Sequence, residues 1–256
     1  MNTQRFTQYA PAIRQFNGDP QCPALRLGSE GRLCAYYAPF EWVNLAAKIV
    51  IIGITPGATQ ASNALTKAKR QLLSGADAET TLMQAKKTGG FSGALRTNLV
   101  AMLDRVGVPR WAGIDSSAAL FGARSDLLQT ASVLPYPVFV DGKPYNGTPS
   151  LLRSPFLRSM LLEHFLPMVQ RIPDARLLAV GDVSFEAINW LGEQGHIDPA
   201  LILGCLPHPS GASQERVNYF LGKVRPAGPS SKTNTVKLDH MRGQIERALS
   251  GLVAGA

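Results

Sequence analysis

Apolar residues gather in four short runs along the chain: Lys48–Ile54, Asp126–Leu134, Arg176–Gly181 and Ala200–Leu206. Short Val/Ile/Leu-rich runs closed by turn residues predict strands buried on both faces, as in a parallel sheet. Between them the spacing changes to that of helices. In Gly93–Val106 the apolar positions Leu95, Leu99, Met102, Leu103 and Val106 recur at close to 3.6 residues. Pro155–Gln170 carries a broad stripe through Leu157, Met160, Leu161, Phe165 and Val169, with Pro167 expected to kink or shorten the helix. Ser184–Leu191 predicts a helix with Phe185, Ile188 and Leu191 inward, and Leu238–Leu252 an amphipathic C-terminal helix of mixed charge. Strands alternating with helices predict an α/β fold. Asp141–Thr148 and Arg225–Asn234, rich in Gly, Pro, Asn and Ser, predict loops. No repeat or low-complexity tract divides the chain. The expectation is a single domain over 1–256, with a core of about 45–222 and a terminal helix near 236–252.

Composition narrows the classes. With 256 residues, 45% of them apolar, the chain can bury a sizeable core. A formal charge of +8 suggests an anionic partner, of which nucleic acid is the commonest. Cys22, Cys34 and Cys205 are too few and too scattered for a disulfide framework, and no CxxC spacing suggests a metal or cluster, so no cofactor is expected. Met1–Phe16 lacks an apolar signal core, and no apolar stretch reaches bilayer length. A cytoplasmic location without membrane association is expected.

Two strings at the ends of apolar runs carry the candidate chemistry. Gly53-Ile54-Thr55-Pro56-Gly57 follows the first run; its glycines and proline specify a tight backbone, although a bare GxxPG is in most proteins an ordinary β–α turn. Neither a dinucleotide fingerprint nor a Walker lysine pattern is present. His208-Pro209-Ser210-Gly211-Ala212-Ser213 follows the last run, where a histidine before a sharp turn is a poor core filler. For His164, His196 and His240 a packing or surface role is the simpler reading. In an open α/β sheet, ligands bind in the crevice at the carboxyl ends of the strands.

Together and in this order, the two strings resemble the uracil-DNA glycosylase superfamily over about Lys48 to Tyr219. Gly53–Gly57 is similar to the first motif of the mismatch-specific branch. Gly90-Phe91-Ser92-Gly93 is similar to the Pro-Phe-x-Gly stretch of the thermophile-type branch, Leu127–Thr130 to the strand that ends in a base-reading Asn, Leu177–Glu186 to the third strand and its turn, and His208–Ser213 to the second catalytic motif. The resemblance implies a three-layer α/β/α fold with a central four-stranded parallel sheet. It implies a monomeric enzyme that flips a damaged or deaminated pyrimidine out of DNA and hydrolyses its N-glycosidic bond without a metal. On this resemblance His208 and Thr55 are the catalytic positions, with His208 donating to the departing base. Phe91 stacks on the base, Thr130, Gly53, Ile54 and Pro56 complete its pocket, and Ser210, Gly211, Ala212 and Ser213 hold the DNA backbone.

The chain departs from that pattern in local ways. Thr55 stands where the efficient members carry Asp and slower ones Asn; a hydroxyl can position water but cannot take its proton at neutral pH, so a slow or silent protein is expected. An Asp at this position is expected to raise turnover. Thr130 replaces the base-reading Asn and offers one hydroxyl in place of a carbonyl and an amide; Gln129 and Asn146 are possible substitutes. Ala212 stands where the family often has a leucine wedge, which favours single-stranded or already distorted DNA. Lys67, Lys69, Arg70, Lys86, Lys87, Arg216, Lys223 and Arg225 flank the motif loops. Two other readings compete: a catalytically inactive nucleic-acid-binding relative, and a small-molecule nucleoside or nucleotide hydrolase.

Overall fold

The computed structural model describes residues 3–223 and 228–254. In chain order the elements are helix α1 (Gln4–Arg14), strands β1 (Arg26–Glu30), β2 (Leu33–Tyr36) and β3 (Ile49–Gly53), and helices α2 (Ala58–Leu73), α3 (Ala78–Gly89), α4 (Ala94–Arg105) and α5 (Val108–Ala112). Strands β4 (Leu128–Ser132), β5 (Val138–Val140) and β6 (Lys143–Pro144) follow, then helices α6 (Pro155–Met160) and α7 (Leu166–Gln170), β7 (Arg176–Val180), α8 (Asp182–Glu193), β8 (Ile202–Leu206), α9 (Gln214–Phe220) and α10 (Thr235–Ala254).

The four apolar runs form one sheet in the order β4-β3-β7-β8, flanked by helices in a Rossmann-like α/β/α arrangement. β3 pairs with β7 and β7 with β8 in parallel register. All five residues of β3 are buried, the pattern of a strand covered on both faces. A second sheet, β1-β2-β5-β6, is antiparallel and was not expected from the sequence. Its strands are short, and the turn of the β5–β6 hairpin and β6 itself lie within Asp141–Thr148, a segment read from its Gly and Pro content as an irregular loop. Arg225, expected in a loop and among the basic flanks, lies outside the described residues.

By its contacts the chain divides into two compact units. The first comprises Met1–Leu45, Gly53–Ser92 and Thr130–Pro173. It holds the antiparallel sheet, α1 to α3, and α6 and α7. Asp77 precedes helix α3, and its carboxylate accepts from the Thr80 N–H at 2.9 Å and caps the free first turn. It lies close to α2: a methyl group on Gly89 would stand 2.8 Å from the Gln60 carbonyl oxygen and 2.9 Å from the Ala64 Cβ. Between α6 and α7 the chain makes a π turn over Leu161–Phe165. Pro167 supplies the reason, since it has no N–H for the carbonyl four residues earlier and the helix must slip register.

The second unit comprises Ala46–Ile52, Gly93–Gln129 and Asp174–Ala256. Leu99, Met102, Leu103 and Val106 are buried, as the helical spacing of that segment predicts. Helix α8 packs on β7 and β8, and α10 packs on β8. Gly204 makes the second contact possible. Its φ is +139°, and a Cβ there would meet the Ile245 side chain at 3.0 Å.

Candidate functional site

The first unit contains a cavity of about 780 Å³. Its apolar wall includes Phe40, Pro56, Phe91 and Met168, and its polar wall Arg5, Glu41, Lys86, Thr130, Tyr136 and His164. Phe91, Thr130 and Pro56, expected around a base, therefore share one cavity. Phe91 is 8% exposed and has a φ of +47°, a backbone state uncommon for a bulky side chain. Its ring lies over Gly53, where an added Cβ would be 3.5 Å from Phe91 Cζ. Behind Phe91, a Cβ on Gly90 would come within 2.6 Å of Thr130 Oγ1, so only glycine lets these segments meet.

The Gly53–Gly57 turn is bound to the chain after β4. Gly53 and Ile54 carbonyls accept from the Val133 and Leu134 N–H groups, both at 2.9 Å. Thr55 is half-buried, and its hydroxyl donates to the Tyr136 carbonyl at 2.9 Å and accepts from the Val138 N–H at 3.1 Å. The hydroxyl proton is thus held by backbone. Of the alternatives to Thr130 as base reader, Asn146 is exposed beyond β6 and Gln129, the second residue of β4, is buried and belongs to the second unit.

The polar wall is a connected set. Arg5 Nη1 donates to the Tyr136 hydroxyl at 2.8 Å, and Tyr136 donates to Glu41 Oε1 at 3.2 Å. Tyr37 donates to Glu41 Oε2 at 3.3 Å. Arg5 Nη1 also lies 3.2 Å from His164 Nε2, and the His164 ring meets Tyr136 edge-on at 5.2 Å between centroids. Lys86 is 5% exposed and donates to the Phe40 carbonyl at 2.7 Å. Burial lowers its pKa to about 7, opposed by the Glu41 charge. Burial likewise raises the Glu41 carboxyl, while its hydrogen bonds pull the other way. Tyr136 is raised, by burial first and then by the Glu41 charge. His164 is lowered by burial and by the Arg5 charge. Such shifts gather where ionisable groups are held for binding or proton transfer.

None of Arg5, Glu41, Tyr136 and His164 was expected at a site, and Lys86 was expected only among the basic residues that flank the motif loops. A carboxylate inside the apolar segment Tyr36–Val43 was the one signal available in the sequence, and only its partners show that it is held. Lys87 is exposed, with its ammonium 5.5 Å from the Trp42 ring. The two neighbouring lysines therefore have different roles.

In the second unit, His208 follows β8. The residue is exposed, and a Cβ on Gly181 would stand 3.9 Å from its Cδ2. The Ser210 N–H donates to His208 Nδ1 at 3.3 Å, which assigns the proton of the neutral ring to Nε2. Partial burial holds its pKa below the usual imidazole value. Gly211–Ser213 form a 3-10 turn in which the Ser213 N–H donates to the Ser210 carbonyl at 2.8 Å, and Gly211 and Ala212 are exposed. Asn98 of α4 steadies this turn by donating to the Pro209 carbonyl at 2.9 Å and to Gln214 Oε1 at 3.0 Å.

Among the described residues, no group of three or more His, Cys, Asp and Glu side chains could hold a metal ion, and no helix is long and apolar enough to cross a membrane. No family model and no solved structure matches the chain. It is 38% identical over 198 residues to the "Uncharacterized protein YoxB" of Bacillus subtilis (strain 168), a match covering 76% of this chain and 77% of that protein. The chain belongs to the family of that Bacillus subtilis protein.

Proposed function

We propose that this chain is a uracil-DNA-glycosylase-like protein that takes an unstacked, damaged or deaminated pyrimidine into the cavity of its first unit. The observation that carries the reading is the placement of Phe91. A bulky residue held at a φ of +47° costs about 1–3 kcal/mol, and here it presents its ring at the wall of a cavity also lined by Thr130 and Pro56. A volume of about 780 Å³ is in the range of small-molecule sites. The charge of +8 favours an anionic polymer as partner. On the resemblance, His208 is a catalytic position, and its contact with the Ser210 N–H leaves Nε2 as the donating nitrogen. The small Ala212 favours single-stranded or distorted DNA.

A single-stranded oligonucleotide with one uracil tests the reading. Incubation is expected to produce an abasic site, scored by strand scission in alkali. His208→Ala is expected to slow it by about 10²- to 10³-fold, the usual loss for one oxyanion donor. Phe91→Ala is expected to weaken binding by roughly 10- to 100-fold, the worth of one stacked base. Absence of DNA binding even at low salt, where phosphate contacts are strongest, would remove the reading.

Thr55 favours a second reading, a silent nucleic-acid-binding relative. Its hydroxyl is engaged by two backbone groups, so the general base of the efficient enzymes has no counterpart at this position. Salt-sensitive, Phe91-dependent binding with no abasic product is the outcome that selects it.

A further inference from the structure

Reading a uracil edge needs an acceptor for the ring N–H beside a donor for the neighbouring carbonyl. An asparagine amide supplies both, whereas Thr130 supplies one hydroxyl. The same cavity holds another pair with this chemistry. Glu41 contributes a carboxylate in which each oxygen accepts one phenol, from Tyr136 at 3.2 Å and from Tyr37 at 3.3 Å. A carboxylate has about four lone-pair sites, so acceptor capacity remains. Arg5 holds Tyr136 from the other side at 2.8 Å, which orients the carboxylate through the phenol. Lys86 contributes an ammonium whose contact with the Phe40 carbonyl, at 2.7 Å, occupies one of its three donors. Phe40 is the chain neighbour of Glu41, both Glu41 and Lys86 line the cavity, and each group feels the other's charge.

We propose that Glu41 and Lys86 together read a lactam edge, the adjacent N–H and C=O shared by uracil, hypoxanthine and other deaminated bases. The proposal rests on the cavity being a base pocket, with Phe91 as its stacking face. Glu41 accepts from the ring N–H, and Lys86 donates to the neighbouring carbonyl. Cytosine and adenine present the opposite order, a bare ring nitrogen beside an amino group. In the same pose their nitrogen lone pair meets the carboxylate and their amino hydrogens meet the ammonium. The pair therefore selects against bases that have not been deaminated.

The test uses single-stranded oligonucleotides identical except for one position carrying uracil, hypoxanthine, cytosine or adenine. Each has a 2′-fluoro sugar there, so that the glycosidic bond survives the measurement. Binding is followed by fluorescence anisotropy at low salt and pH 6, below the Lys86 pKa of about 7. The wild-type protein is expected to favour the two lactam bases by about 10- to 100-fold, the discrimination of one bidentate contact. Glu41→Gln, whose amide can turn to meet either edge, and Lys86→Met, which removes the donor, are each expected to bring the ratio close to one. The readout compares two ligands on the same variant, so a loss of folding lowers both affinities without imitating a change in preference. Wild-type protein that binds cytosine as tightly as uracil overturns the assignment, as does a preference that survives both substitutions.

Phe91→Ala separates this failure from that of the base pocket. Binding that depends on Phe91 but ignores the edge overturns only the roles of Glu41 and Lys86. Binding indifferent to Phe91 removes the pocket itself. Free deoxyuridine and deoxycytidine form a further arm. A lactam preference seen with the nucleosides and not strengthened in the oligonucleotides supports the edge reading and overturns DNA as the source of the base.

Discussion

The Thr55 hydroxyl donates to the carbonyl of Tyr136 at 2.9 Å, joining the Gly53–Gly57 turn to the residue that orients Glu41. The hydroxyl accepts in the same geometry from the Val138 N–H at 3.1 Å. One side chain thus binds two backbone groups, a carbonyl and an N–H. Thr55 is therefore a strut between the two walls of the first unit's cavity, at the position where the resemblance expects a group that activates water.

Removing the strut has a defined cost. Thr55→Ser keeps the hydroxyl and is expected to unfold near the wild-type urea midpoint. Thr55→Val strands the Tyr136 carbonyl and the Val138 N–H and is expected to lose about 1–3 kcal/mol. Thr55→Asp can accept from Val138 but sets a carboxylate against the Tyr136 carbonyl. It is expected to lose stability and to gain no turnover, the reverse of the expectation from sequence. An Asp variant of wild-type stability that cleaves faster would show that the hydroxyl is free to serve a water.

Lys86 makes stability depend on pH. Its folded pKa is about 7 and its ordinary value 10.5, with burial as the cause. Between these values the unfolded chain holds a proton that the folded chain does not, so stability rises with pH across this window. The slope from this group is at most about 1.4 kcal/mol per pH unit, and it vanishes below pH 7, where both states are protonated. Lys86→Met removes the group. Urea midpoints from pH 6 to 10 are expected to show wild-type stability gaining on the variant above neutrality. Parallel curves would mean that the folded lysine keeps its ordinary affinity for a proton.

His208 is expected to be a neutral Nε2–H tautomer at pH 7. Ser210 has φ −70°, a value that proline adopts, so Ser210→Pro removes the N–H that meets Nδ1 without forcing that torsion. Nitrogen-15 shifts of the ring are expected to show Nδ1 unprotonated in the wild type and mixed tautomers in the variant. The wild-type ring is expected to titrate below 6.5, because burial penalises its charge. A ring that starts as a mixture would detach tautomer choice from Ser210.

The parallel sheet was legible because its strands are short, β-branched and buried, as in Ile49–Gly53, and such runs follow from solvent exclusion alone. The helices over Ala94–Arg105 and Thr235–Ala254 were legible by the same logic at a period of 3.6. The antiparallel sheet was not. Arg26–Glu30 is half-exposed and carries Gly28, Ser29 and Glu30, so no alternation marks it, and it is a strand because Leu33–Tyr36 pairs with it.

Local sequence thus determined which segments are strands and helices wherever burial is one-dimensional and periodic. It also marked the two motif turns, since Gly and Pro limit the backbone within a few residues. Tertiary structure alone decided the chemistry of the cavity. Arg5, Tyr37, Glu41, Lys86, Tyr136 and His164 are scattered over 160 residues of chain, and each reads in isolation as a surface charge or a core ring. Their ionisation depends on burial and on partners at 2.7–3.3 Å, quantities that exist only after distant segments meet. Thr55 obeys the same rule. Its hydroxyl suggests chemistry in the sequence, and the backbone 81 positions away makes it a strut.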